Sequence, residues 1–318
     1  MIPETLYINE VRNEAGYETS SVRPEMGVAL WSVFRPIPLW PEFCSILNTA
    51  MNAAISTTGL TRRFGDFIAV QNVNLNVAPG QFYGFLGPNG AGKSTTIKML
   101  TGLLAPSSGS IEVLGLNFAS HSIEVKRQIG VVPEGLALFG RLTASEYLRF
   151  VGQMYGLDRA TTLQRSEELL EFMNLAGETK KLITDFSHGM QKKLALAAAV
   201  IHGPKILFLD EPFEGVDAIA AGTLKQMLQG MIARGATIFL TSHVLEIVER
   251  LCTHVAIINH GELIADGSIE QLRAGVHTQA DSNDGTARLT LEEIFIRIIG
   301  KEDGGAGQQV EQELSWLG

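Results

Sequence analysis

A chain of 318 residues with 45% hydrophobic and 19% charged side chains is long enough to bury a large core and too apolar to be disordered. Its 34 Asp and Glu against 25 Lys and Arg leave a formal charge of -9, which withholds the basic face that non-specific nucleic-acid binding needs. The two cysteines, Cys44 and Cys252, stand far apart without partner motifs; they exclude a disulfide framework or a cysteine zinc site and fit a reducing compartment.

Residues 1–52 carry five of the eleven prolines and two of the three tryptophans, and neither a helical nor an alternating period persists through them. The most apolar stretch there, MGVALWSVFRPIPLW from Met26, is broken by Arg35, Pro36 and Pro38, so it is too short to span a membrane. It also lacks the basic start and small-residue cleavage site of a secretory signal. The reading treats 1–52 as an N-terminal extension of the main domain, whose natural start is near Met51. From Ala54 the text changes. VNLNV (73–77) alternates as a half-buried strand does, and APGQ then makes a turn.

FYGFLG is next, a short apolar strand that runs into GPNGAGKS and a helix, KSTTIKMLTGLL. The loop fits G-x-x-x-x-G-K-[ST], with Gly87, Gly92, Lys93 and Ser94. The glycines let backbone amides turn inward around a phosphate, Lys93 reaches the β- and γ-phosphates, and the Ser94 hydroxyl binds Mg²⁺. Further apolar strands follow: IGVV at 129, ILFL at 206, TIFL at 237 and VAII at 255. Helical spacing at Leu224, Met227, Leu228 and Met231 separates two of them. That alternation predicts an α/β core with a mainly parallel sheet.

Between about 140 and 185 the strands stop. Thr143 and Glu146 form a capping box, and Tyr147, Phe150, Val151 and Met154 make one face of a helix, so this stretch reads as a helical insert. DFSHGMQKK (185–193) closes it. Ser187 and Gly189 stand at a helix start and Lys192 and Lys193 follow, a pattern that offers an anion site without naming the anion. ILFLDEP ends a strand in Asp210, suited to hold Mg²⁺ through water, and Glu211, suited to orient or deprotonate a water. Alone, that pair is a solvated strand end; downstream of a phosphate loop it is a partner to it. His243, just past the next strand, is either a helix cap or a group facing the ligand crevice. Beyond Ala274, GVHTQADSNDG reads as a linker. Thr290 and Glu293 cap a last short helix, and the residues from Lys301 read as a disordered tail.

The order and spacing of GPNGAGKS, DFSHGMQKK, LFLDEP, EGVD and TSH resemble the ATP-binding subunit of an ABC (ATP-binding cassette) transporter, over about residues 55–272. The N-K-x-D base-reading motif of GTPases is missing. The resemblance implies a P-loop NTPase with a RecA-like, mainly parallel sheet core, an antiparallel β subdomain and a helical insert. It implies an ATPase domain over 53–273, with a linker, helix and tail over 274–318. It also implies ATP and Mg²⁺ as ligands, and hydrolysis of ATP to ADP and phosphate that drives a separate membrane permease from its cytoplasmic face. The tail segments NHGELIADGSIEQLRAG and LEEIFIRIIG point to the exporter-type branch.

Residue by residue, the resemblance sets Gly87, Pro88, Asn89, Gly90, Ala91, Gly92, Lys93, Ser94 and Thr95 around the phosphates and Phe64 against adenine. A plain core phenylalanine is the other reading of Phe64. Asp210, Ser94 and Glu134 fall to the metal, and Glu211 and His243, with Lys93, to catalysis. FSHGM stands at the family's L-S-G-G-Q signature, so Ser187 and Gly189, with Asp217 of EGVD, meet ATP held by the other protomer of a head-to-tail dimer. That dimer is a homodimer or pairs with a second ATPase subunit; nucleic acid is not expected as a partner. The departures are His188 where glycine is usual, Met190 for glutamine, Glu134 at the glutamine-loop position, and Phe213 and Glu214 for threonine and serine. The rival reading is a soluble ABC ATPase acting on nucleic acid or ribosomes, which usually needs long coiled coils, zinc modules or a second cassette. A non-hydrolysing nucleotide sensor would need Asp210 or Glu211 lost.

Overall fold

The computed structural model describes residues 9–12, 18–21, 53–277 and 289–302. The chain divides into two units, 1–47 and 48–318. In the first, Asn9–Arg12 (β1) and Glu18–Ser21 (β2) pair antiparallel. The sequence reading placed no strands there, because NEVR and ETSS have no apolar alternation and the pairing is made by the backbone. The rest of the 1–52 extension lies outside the described residues.

The second unit holds two sheets. An antiparallel one is built from Ile55–Phe64 (β3), Phe67–Val73 (β4), Asn76–Val77 (β5), Ser108–Val113 (β7) and Leu116–Asn117 (β8), in the order β4-β3-β7-β8 with β5 against β3. The alternation expected over 73–77 holds in burial, with Val73, Leu75 and Val77 buried between exposed asparagines. The ladder is interrupted, however. The Thr57 hydroxyl enters it, donating to the Val73 carbonyl (3.0 Å) and accepting from the Leu75 amide (2.9 Å). Strand β5 is therefore only two residues long.

The larger sheet runs in the order β13-β12-β6-β11-β10-β9, from Glu262–Ser268 (β13), His254–Asn259 (β12), Phe82–Leu86 (β6), Thr237–Thr241 (β11), Ile206–Asp210 (β10) and Ile129–Val132 (β9). All neighbours are parallel except β12 with β13. β6, β10 and β11 are buried at every position, so they read as unbroken apolar runs, as strands covered on both faces must. Tyr83, Phe85, Phe208 and Phe239 stack through the centre. Each such side chain contributes roughly 1.5–3 kcal/mol by leaving water.

Three helices follow the first sheet strands: Lys93–Leu100 (α1), Ser122–Lys126 (α2) and, in the helical insert, Ala144–Met154 (α3). Arg159–Phe172 (α4) and His188–Val200 (α5) continue the insert and lead back to the sheet. Ala218–Ala233 (α6) and Leu245–Leu251 (α7) link the last parallel strands, and α6 buries Leu224, Met227, Leu228 and Met231 as the spacing predicts. Ile269–His277 (α8) and Leu291–Glu302 (α9) close the unit. Of the linker expected from Gly275, residues 275–277 belong to α8, and 278–288 lie outside the described residues. Helix α9 runs on through Lys301 to Glu302; the tail beyond is likewise undescribed. Both capping boxes form: Thr143 with Glu146, and Thr290 with Glu293.

Candidate nucleotide site

Parallel strands deliver their C-terminal ends to one edge of the sheet. Here β6 ends into Gly87 and the phosphate loop, β10 ends in Asp210, β11 ends in Thr241, and β9 runs out towards Glu134. The register pairs Asp210 with Thr241 and Thr241 with Phe85, so the phosphate loop and the acidic pair meet across three adjacent strands.

The loop over 87–92 turns on Gly92, whose φ of +109° suits only glycine; a Cβ there would lie 2.6 Å from the Ala69 carbonyl of β4. Pro88, Asn89 and Gly90 are exposed, Gly87 and Ala91 are buried, and Thr95 is half-buried on the first turn of α1. The Lys93 ammonium is buried and donates to the carbonyls of Gly87 (2.7 Å) and Pro88 (3.1 Å). Burial lowers its pKa from the usual lysine value, against the charges of Glu211, Asp210 and Glu134. A phosphate offers this ammonium stronger acceptors than two neutral carbonyls do.

Asp210 is 2% exposed, and its Oδ1 accepts from the Thr241 hydroxyl (2.6 Å) and the Ser94 hydroxyl (3.3 Å). Ser94 Oγ and Asp210 thus place two hard oxygen donors side by side, the chemistry Mg²⁺ takes. Among the described residues no cluster of three or more His, Cys, Asp and Glu could hold a metal by itself. Phosphate oxygens are thus the natural completion of the set. Glu134 is exposed and bears on Lys93 and Lys192 through its charge.

Glu211 adopts a left-handed backbone (φ +48°), uncommon outside glycine. Its amide donates to Thr241, its Oε2 accepts from the His243 amide (3.2 Å), and the same oxygen lies 2.9 Å from His243 Nδ1. A carboxylate only accepts, so Nδ1 carries the proton and Nε2 is the open nitrogen. His243 is not a helix cap; that position in α7 belongs to Val244. Phe64 is not a core residue either. It is 46% exposed at the end of β3, with the Arg62 guanidinium 4.6 Å from its ring centroid.

Ser187, Gly189 and Asp217 form a second group. Ser187 caps α5 by accepting from the Met190 amide (3.3 Å), which leaves its own O–H to donate. A Cβ at Gly189 would lie 3.2 Å from Asp217 Oδ2, and Asp217 caps α6 through the amides of Ile219 and Ala220. These two bonds lead the causes that hold the Asp217 carboxyl below the usual range. No hydrogen bond joins this group to residues 87–95. His188 is exposed and its ring packs on Gly215, while Phe213 is 6% exposed in the main core. Both departures from the usual residues are thus accommodated by packing.

Two contacts escaped the sequence reading. Thr241 was only a letter of TSH, yet its hydroxyl holds Asp210. Lys192 and Lys193 do not face outward with the start of α5: both are buried, and Lys192 Nζ donates to the Glu211 carbonyl (2.9 Å). A groove of about 900 Å³ lined by Arg165, Phe172, Val200, Met231 and Arg234 contains none of the site residues.

The family model described as ABC transporter matches residues 70–214. The bacitracin transport ATP-binding protein BcrA of Bacillus licheniformis is 40% identical over 224 residues, 70% of this chain and 72% of that protein. The daunorubicin/doxorubicin resistance ATP-binding protein DrrA of Streptomyces peucetius is 35% identical over 257 residues, 80% of this chain and 78% of that protein. A solved ATP-binding subunit of an ABC transporter superposes with a TM-score of 0.71 at 29% identity, covering 77% of this chain and 99% of that one.

Proposed function

The chain belongs to the ATP-binding subunits of ABC transporters, and on that premise we propose which of its residues bind and hydrolyse ATP and what it docks against. Hydrolysis of ATP to ADP and phosphate is the activity of the family, and this chain is the ATP-driven subunit of a transporter. The observation that carries the assignment is the clamp on Glu211. Its amide is held by Thr241 and its carboxylate by His243, one residue beyond an Asp210 that is tied to the phosphate-loop Ser94.

Lys93 exchanges the carbonyls of Gly87 and Pro88 for the β- and γ-phosphates. The amides of 87–95 wrap the phosphates, and Phe64 stacks on adenine. Ser94 and Asp210 would hold Mg²⁺, which would neutralise phosphate charge when bound. The Glu211 carboxylate takes the proton of the attacking water. His243, already bonded to Glu211, keeps that carboxylate aimed.

No hydrogen bond joins Ser187, Gly189 and Asp217 to the phosphate loop of their own chain, which supports a head-to-tail dimer, of two copies or with a second ATPase subunit. In it each signature helix completes the partner's site. No helix among the described residues is long and apolar enough to cross a membrane. A permease docks on exposed Phe139 and Phe150, which meet edge-on beside half-buried Tyr147, and the chain is peripheral on the cytoplasmic face through it. The relatives' names, bacitracin transport and daunorubicin/doxorubicin resistance, support an outward direction.

Phosphate release from MgATP tests the assignment. Glu211→Gln is expected to lose about 10²–10⁴-fold in kcat with nucleotide affinity retained, the range general-base removal covers. Lys93→Ala is expected to lose binding as well. A Glu211→Gln protein that turns over ATP at the unsubstituted rate would place the base elsewhere.

A further inference from the structure

Helix α5 carries a side chain that the catalytic assignment leaves unused. Its buried positions are Gly189, Leu194, Leu196 and a run of alanines, with one exception in kind: Lys192 and Lys193 are buried too. Lys192 is 2% exposed, and its Nζ donates to the Glu211 carbonyl at 2.9 Å. Burial lowers its pKa, against the charges of Glu214, Glu134, Glu211 and Asp210. A buried ammonium is expensive unless it is hydrogen-bonded and paired, and a methionine of nearly the same shape would fill the space without that expense. Its charge and its donor therefore need a use.

That use is visible at Glu211. The residue sits in the left-handed region, where a non-glycine backbone persists only if its surroundings hold it. Its polar groups are held from two sides, by the end of β11 and by α5. The amide goes to Thr241 at the end of β11, the carboxylate goes to His243, and the carbonyl goes to Lys192 on α5. Lys192 lies five residues from Ser187, the helix N-cap assigned to the partner's nucleotide. Any shift of α5 on meeting that nucleotide therefore pulls on the carbonyl of the base in its own site.

We propose that Lys192 is a positioning residue that fixes the backbone of Glu211 and links it to the signature helix, so that closure on the partner's nucleotide sets the base at this chain's own site. The inference rests on the assignment of Glu211 as the base and of α5 as the partner-facing helix.

The test compares Lys192→Met and Lys192→Gln with the unsubstituted full-length chain. Methionine removes the donor; glutamine keeps a donor but falls one atom short of the carbonyl. Both are expected to lower kcat by about 10- to 100-fold, the scale of a small misplacement of a catalytic group. The Kd for a non-hydrolysable ATP analogue is expected to stay within about threefold, less than 1 kcal/mol. In a Glu211→Gln background, Lys192→Met is expected to change neither the residual turnover nor the dimerisation that MgATP induces, because the base it positions is already gone. An unsubstituted kcat in either folded variant would overturn the proposal. So would loss of dimerisation in the double variant, or failure of both variants to fold, since each makes Lys192 a purely structural lysine. If Glu211→Gln alone retains full activity, the assignment of the base has failed instead, and that arm reads it separately.

Discussion

At the scale of single residues, the chemistry depends on a few side chains that sequence motifs name and on others they do not. Phe64 is the clearest gain from the structure. The sequence leaves Phe64 as a core phenylalanine or an adenine platform, and its 46% exposure with Arg62 across the ring removes the core reading. Phe64→Ala is expected to weaken nucleotide binding by about 1–3 kcal/mol, the usual worth of one base–aromatic stack, and Phe64→Tyr to leave it unchanged. Titration calorimetry with ATP and with a triphosphate lacking a base separates stacking from phosphate contacts: only ATP should feel the alanine. The motif residues were legible because phosphate binding demands glycine, lysine and hydroxyl at fixed spacing. Thr241 and Lys192 were not. Their roles follow from strand register and helix packing, 31 and 19 positions away from their partners, and no local pattern encodes that.

At the scale of elements, apolar runs predicted the parallel strands, but an apolar face did not predict burial. Tyr147, Phe150, Val151 and Met154 read as one apolar face of α3. The helix buries Ala144, Leu148 and Gly152 fully and packs Tyr147 and Val151 on the core, leaving Phe150 42% and Met154 72% exposed. The small residues let α4 approach, to the point that a Cβ on Gly152 would lie 2.7 Å from Thr162 Cγ2. Phe150 and Met154 are left for another surface. Phe139, 52% exposed and edge-on to Tyr147 and Phe150, belongs to the same patch, whereas Leu136 packs on the core. Phe139→Asp is therefore the clean test of permease docking. ATPase activity of the isolated subunit should hold within about twofold, well under 1 kcal/mol, while transport with the permease is lost; transport at full rate would move the docking surface elsewhere.

The end of α5 supplies a second element-scale test. His202 stacks on Tyr155 (3.7 Å between centroids), its Nε2 donates to the Ile129 carbonyl (3.0 Å), and its buried Nδ1 has no partner. Burial, first, then the Arg165 charge lower its pKa below the ordinary 6.5, against the bond to Ile129. The unfolded chain therefore takes up this proton at higher pH than the folded one does. Stability is whole above about 6.5 and falls as pH drops below it towards the folded pKa. Thermal unfolding between pH 7.5 and 5.5 should show a steeper loss for the unsubstituted protein than for His202→Phe, which keeps the stacked ring and cannot charge. Parallel curves would remove His202 from the account.

For the whole molecule, the proposed function divides the site residues of one chain into two groups. The phosphate loop, Asp210, Glu211 and His243 gather at the C-terminal edge of the parallel sheet. Ser187, Gly189 and Asp217 share no hydrogen bond with them; Ser187 caps its helix through the Met190 amide and Asp217 caps the next. In the proposed head-to-tail pairing each half would complete the other, and hydrolysis would be tied to the approach of two subunits. The measurement that tests this most directly is light scattering after sizing chromatography, with and without MgATP. Glu211→Gln should run as a monomer alone and as a stable dimer with MgATP, because ATP closes the pair and is not hydrolysed to release it. Lys93→Ala, and Ser187→Tyr on the opposite half, should remain monomers under both conditions. A Glu211→Gln chain that stays monomeric at saturating MgATP while binding it, or a Ser187→Tyr/Glu211→Gln chain that dimerises as well as Glu211→Gln alone, would contradict a site shared between two protomers.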